Sequence, residues 1–185
     1  VISVYTSGYG QFKRWAQNID KNKIIVGGYH VSLCPQDFVD YAYKIITGPC
    51  KDLWASIDQE GQIVKGIINY NYLPRYDLFK RSANFLFSEG FNKTSVYTTM
   101  GCTHNCEFCC TPVLSGSKFI CKPLDYLDAE IKHLQSIDGT SKACMIQDEN
   151  LLKQKDWKER LAIVNKYQFA ETFYMFCSSD ISSRT

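Results

Sequence analysis

Ser95-Val96-Tyr97-Thr98-Thr99-Met100-Gly101-Cys102-Thr103-His104-Asn105-Cys106-Glu107-Phe108-Cys109 decides how the rest of this chain is read. A β-rich run ends at a glycine, and three cysteines follow at CxxxCxxC spacing with an aromatic residue just before the last. Three thiolates at the end of a strand can hold three irons of a four-iron, four-sulfur cluster and leave the fourth open to a ligand. An open iron points to chemistry rather than to electron storage alone. Zinc is the competing assignment, but zinc sites more often use paired knuckles with a second Cys or His pair downstream, and none follows here at a matching spacing. Chance clustering among nine cysteines is the other alternative, and it leaves Gly101 and Phe108 unexplained.

With 185 residues, 45% of them hydrophobic and 14% aromatic, the chain can bury a core and form one or two domains. A formal net charge of +2 gives no field that would draw in nucleic acid or an acidic membrane. Lys21-Asn22-Lys23 and Lys158-Glu159-Arg160 read as solvated faces. No apolar run reaches the length of a membrane span and no signal peptide is visible. An odd number of cysteines, three of them in a metal-type cluster, argues for a reducing compartment, so a cytoplasmic protein is expected. The strand-like opening at Val1 and the missing initiator Met lead us to expect a piece of a longer protein, inactive by itself.

Upstream of the cysteines, strand and helix alternate. Val1 to Thr6, Lys23 to Val26 and Tyr43 to Ile46 read as short apolar strands that run into glycine turns. Between them lie a helix over Gln11 to Ile19, with Phe12, Trp15 and Ile19 on one face, and a short one near Pro35 to Tyr41. That pattern describes a parallel doubly wound sheet, whose ligands lie beyond the carboxyl ends of its strands. Asp58 to Gly66 reads as a hairpin around Glu60-Gly61, and residues 69–92 as an aromatic-rich connection interrupted by Pro74 and Gly90.

Downstream, Pro123 suits a first helical position, and Leu124, Leu127, Ile131 and Leu134 form an apolar stripe. A buried strand is expected at Ala143 to Ile146, a helix capped by Asp156 with Glu159 three residues on, and a strand at Thr172 to Phe176.

The cysteine motif resembles the signature of the radical S-adenosylmethionine enzymes. Ser3, Thr6, Val26-Gly27-Gly28-Tyr29-His30 and Ile45-Ile46-Thr47-Gly48 resemble the cobalamin-binding domain that precedes the radical domain in many members. Leu73-Pro74-Arg75-Tyr76-Asp77 is similar to the Leu-Pro element leading from one to the other. The resemblance implies an α/β fold: the C-terminal part of a doubly wound, Rossmann-like cobalamin-binding domain over residues 1–68, a linker over 69–92, and the first half of a radical SAM partial (β/α) barrel over 93–185.

It also implies roles. Cys102, Cys106 and Cys109 would hold the 4Fe-4S cluster, Phe108 would lie near the adenine of S-adenosyl-L-methionine, and Asp148 and Glu149 would meet its amino group. Ser3, Thr6, Gly27, Gly28 and His30 would face cobalamin, the glycines letting backbone approach it closely. Met100 and Cys121 stand where members often carry arginine, and Pro49 and Cys50 replace acidic residues usual after the third strand. The implied reaction is reductive cleavage of S-adenosylmethionine to a 5′-deoxyadenosyl radical, which takes a hydrogen atom from a small-molecule substrate. Cobalamin-dependent methylation or rearrangement follows. Flavodoxin or ferredoxin is the type of electron donor expected. Two alternatives remain: a radical SAM enzyme without cobalamin, such as a methylthiotransferase, and a non-enzymatic cysteine metal-binding module.

Overall fold

A computed structural model of the chain describes residues 1–78, 93–138 and 141–177, and all that follows concerns these. Of the connection expected over 69–92, residues 79–92, Gly90 among them, lie outside the described residues. The chain forms two compact units, one made of Val1–Asn69 with Cys106–Ser117 and the other of Tyr70–Asn105 with Lys118–Thr185. Both are α/β with parallel sheets. Among the described residues no helix is long and apolar enough to cross a membrane.

The first unit holds a sheet of β1 (Ile2–Ser3), β2 (Ile25–Gly27), β3 (Lys44–Thr47) and β4 (Ile63–Lys65), hydrogen-bonded in that order and parallel throughout. Helices α1 (Tyr9–Ala16), α2 (Tyr29–Leu33) and α3 (Leu53–Ile57) lie in the connections. Val4, Phe12, Val26, Val31, Phe38 and Ile45 make the centre of the core. The inward face of α1 is Phe12 and Ala16; Trp15 and Ile19 are exposed, contrary to the expected stripe. Tyr9 instead completes that face, its ring stacked on His30 at 4.8 Å and edge-on to Phe38 at 5.3 Å.

The hairpin expected over Asp58 to Gly66 is not formed. Asp52 accepts the Ala55 N–H and starts α3, so the chain crosses over and returns as β4 parallel to β3, with Ile46 opposite Val64. Buried Lys44 holds the turn in place by donating to the carbonyls of Gln59 at 2.7 Å and Gly61 at 2.8 Å. A buried ammonium needs such acceptors, and a turn needs its inward carbonyls satisfied.

In the second unit β5 (Lys93–Val96), β8 (Ser141–Ile146) and β9 (Ala170–Met175) form a parallel sheet in the order β5-β8-β9. β6 (Thr99–Met100) and β7 (Ile120–Cys121) form a short antiparallel ribbon that had not been expected. Helix α5 (Leu124–Asp138) buries Leu127, Ile131 and Leu134, as its stripe requires, against Val96, Cys144, Ile146 and Phe169. Helix α6 (Trp157–Lys166) adds Val164 to that core. Asp156 stands at its N-cap without a side-chain capping bond, because its carboxylate is taken by Arg160 at 2.7 and 3.0 Å.

Candidate metal centre and its surroundings

β5 and β8 end side by side, with Val96 opposite Ile146 and the Gln147 N–H donating to Val96 O. From β5 the chain passes through Tyr97 and Thr98 into β6, then Gly101 and Cys102; from β8 it passes into Gln147, Asp148, Glu149 and Asn150. Parallel register therefore brings the acidic pair beside the segment that leads into the cysteines.

Asp148 is fully buried and bonded from three sides. Oδ1 accepts the Thr98 N–H at 2.6 Å, and Oδ2 accepts the hydroxyls of Thr98 at 2.6 Å and Thr99 at 2.7 Å. Glu149, half-buried, accepts the N–H of Gly101 at 2.9 Å through Oε2. Gly101 is buried with φ of +92°, a left-handed turn in the backbone just before Cys102. Thr98 is also fixed through its carbonyl, which accepts the Lys122 N–H at 3.0 Å and Arg160 Nη1 at 3.1 Å.

Below this lies a buried ion pair. Lys122 Nζ donates to Glu130 Oε2 at 2.5 Å with both side chains sealed from solvent, and it lies 3.7 Å from the centre of the Tyr97 ring. The other Glu130 oxygen accepts the Tyr76 hydroxyl at 2.8 Å. Burial, then the Glu130 carboxylate, pushes the phenols of Tyr76 and Tyr97 above their ordinary value. They stay neutral.

All nine cysteines are free thiols. Cys102 is half-buried in the second unit, its sulfur accepting the His104 N–H at 3.4 Å. Cys106 is exposed and Cys109 half-buried in the first unit, where the Cys109 N–H donates to Cys106 O at 3.0 Å in a tight turn. Cys110 opens helix α4 (Thr111–Ser115), which packs beside α2. Among the described residues no group of three His, Cys, Asp or Glu side chains is gathered that could hold a metal ion. The donor set suits an iron–sulfur cluster by its chemistry: three free thiols at CxxxCxxC spacing in the sequence, with His104 and Glu107 interleaved. Phe108 is 93% exposed.

The chain matches no protein-family model. It is similar to the bacteriochlorophyllide d C-8(2)-methyltransferase of Chlorobaculum tepidum. The two are 26% identical over 177 residues, an alignment covering 84% of this chain and 38% of that protein. The chain thus spans well under half the length of this relative, which is an enzyme.

The residues linked by resemblance to cobalamin are used within the first unit. A Cβ on Gly28 would come within 2.6 Å of Ser3 Oγ and 3.0 Å of Val4 N, and φ there is +103°, so packing of adjacent strand ends accounts for that glycine. A Cβ on Gly27 would make an ordinary contact with Ile46 O at 3.6 Å. His30 is buried, with Nδ1 3.1 Å from Thr6 Oγ1 and Nε2 3.1 Å from Asp37 Oδ2, so both ring nitrogens are engaged. Neighbours within the first unit thus account for the placement of Gly28 and His30. Asp37, Thr98 and Thr99 had escaped the sequence. Thr98 and Thr99 lie about 50 residues from Asp148 and are linked to it only by strand register, whereas Asp37 is seven residues from His30 and is brought to it by the turn after α2.

Proposed function

We propose that this chain is part of an enzyme that uses a cysteine-bound iron–sulfur cluster and S-adenosylmethionine to start radical chemistry, with methylation of a small-molecule substrate as the outcome. The observation that carries the proposal is the loop of three free thiols, Cys102, Cys106 and Cys109, led in by a glycine whose backbone is braced by a carboxylate. The methyltransferase relative supports the outcome. When bound, a cluster of this kind supplies the electron that breaks a sulfonium carbon–sulfur bond.

The chain's own residues do the holding. Three thiolates leave one iron corner for the ligand, and exposed Phe108 offers a ring face for an adenine. Buried Asp148 is committed to Thr98 and Thr99, so within the acidic pair only Glu149 could also reach a ligand ammonium. Cobalamin and an electron donor of the flavodoxin or ferredoxin type belong to the same proposal, as do a 1–68 cofactor domain and a cytoplasmic setting.

Anaerobic reconstitution with iron and sulfide tests it. A brown, oxygen-sensitive chromophore containing both elements is expected; tight zinc binding with no sulfide uptake points instead to a structural metal module and overturns the enzymatic proposal.

A further inference from the structure

We propose that Asp148 and Glu149 act together as positioning residues that set the backbone entering Cys102. The importance of this for a cluster rests on the function proposed above; the mechanical claim does not. An acidic pair at a strand end would ordinarily be assigned to a cationic ligand. The geometry points elsewhere for Asp148 in full and for Glu149 in part.

Asp148 has no solvent exposure, nor have the two threonines it binds, and all three of its bonds come from neutral donors of one dipeptide. A buried carboxylate is tolerated when its lone pairs are matched by short hydrogen bonds, and these lie at 2.6 to 2.7 Å. Its effect is to fasten the turn between β5 and β6 to the end of β8. Glu149, the residue after Asp148, repeats the arrangement two residues beyond Thr99 by holding the buried Gly101 N–H. Without that bond, the buried amide of the left-handed glycine itself would lose this acceptor where the backbone is freest to move. The two carboxylates therefore grip the segment at Thr98–Thr99 and at Gly101. Cys102 is the next residue.

The test uses the metal-free chain and reads two quantities that do not depend on activity: amide hydrogen exchange at Gly101 and Cys102, and the alkylation rate of each cysteine by iodoacetamide, resolved by peptide mass spectrometry. In Glu149→Ala, exchange at Gly101 and alkylation of Cys102 are expected to rise roughly tenfold, the scale of one hydrogen bond to a charged group. Cys34, Cys106 and Cys109 should keep their rates. Glu149→Gln, which retains a side-chain oxygen acceptor, should restore both readouts towards wild type. Asp148→Asn should preserve exchange at Thr98, since its oxygen still accepts that N–H and its amide can donate to the threonine hydroxyls, whereas Asp148→Ala should raise it.

Wild-type exchange and alkylation in Glu149→Ala overturn the proposal, as does a rise spread equally over all cysteines, which would report general unfolding. If Asp148→Ala does not fold, Glu149→Ala still decides. A wild-type chain that takes up no iron and sulfide would count against the cluster alone and leave the two readouts unaffected.

Discussion

Ser3 Oγ occupies the space that a Cβ on Gly28 would need, at 2.6 Å, so the residue ending β1 dictates the residue following β2. The parallel register that sets Ser3 opposite Gly27 makes this contact unavoidable.

Gly28→Ala is therefore expected to destabilise the first unit by about 1–3 kcal/mol, combining the collision with a left-handed backbone. Adding Ser3→Ala should recover part of the loss but not all, because φ of +103° and Val4 N at 3.0 Å remain. Urea midpoints for the two single variants and the double give the coupling directly. Full recovery in the double would mean that backbone strain at Gly28 is negligible.

Among the cysteines of the loop, the adjacent pair should separate cleanly. Cys102→Ala, Cys106→Ala and Cys109→Ala are each expected to abolish the iron and sulfide uptake of the reconstituted chain. Cys110→Ser should retain it, since Cys110 stands at the start of α4, with its carbonyl accepting the Leu114 N–H, and serine is a favoured residue at that position. Normal iron and sulfide content in Cys106→Ala would show the ligands to be wrongly assigned.

Removing one member of the buried Lys122–Glu130 pair should be far worse than removing both. Glu130→Leu removes the carboxylate facing an ammonium that has no solvent contact and is expected to cost about 3–5 kcal/mol, whereas Lys122→Met with Glu130→Leu should restore much of that. Denaturant unfolding of the single and the double variant checks the order, and a double variant no more stable than Glu130→Leu refutes it.

The thiol of Cys144, sealed in the core, is pushed up to about 12 by burial. A raised acid keeps its proton in the folded state while the unfolded thiol loses it above its ordinary value near 9.0, so stability falls between those two pH values. The difference in unfolding free energy between the wild-type chain and Cys144→Ala should accordingly shrink as pH rises through that window, by roughly 1 kcal/mol per pH unit. A difference independent of pH from 8 to 11 would show that the thiol ionises equally in both states.

Periodicity carried the second unit well. The stripe at Leu127, Ile131 and Leu134 is buried as its spacing demands, and the strands at Ala143 to Ile146 and Thr172 to Phe176 were placed within a few residues of β8 and β9. It carried the first unit less well, because the elements are short. Five-residue α3 has no room for a period, and the Gly61 turn reads locally as a hairpin; only the buried contacts of Lys44 decide otherwise. The cysteines were legible as a motif since their spacing is local. The pairing of Asp148 with Thr98 and of His30 with Thr6 was not, because a hydrogen bond across 50 or 24 residues leaves no mark until register is known.

The clasp between Asp148 and the two threonines ties together loops that follow different strands. Neither loop can drift in evolution without the other: losing the acid would remove the partner of the buried Thr98 amide and hydroxyl, and losing the hydroxyls would leave the buried carboxylate with the Thr98 N–H in place of three donors. Positions 98, 99 and 148 are thus expected to change in concert across relatives, as one inherited unit rather than three separate sites.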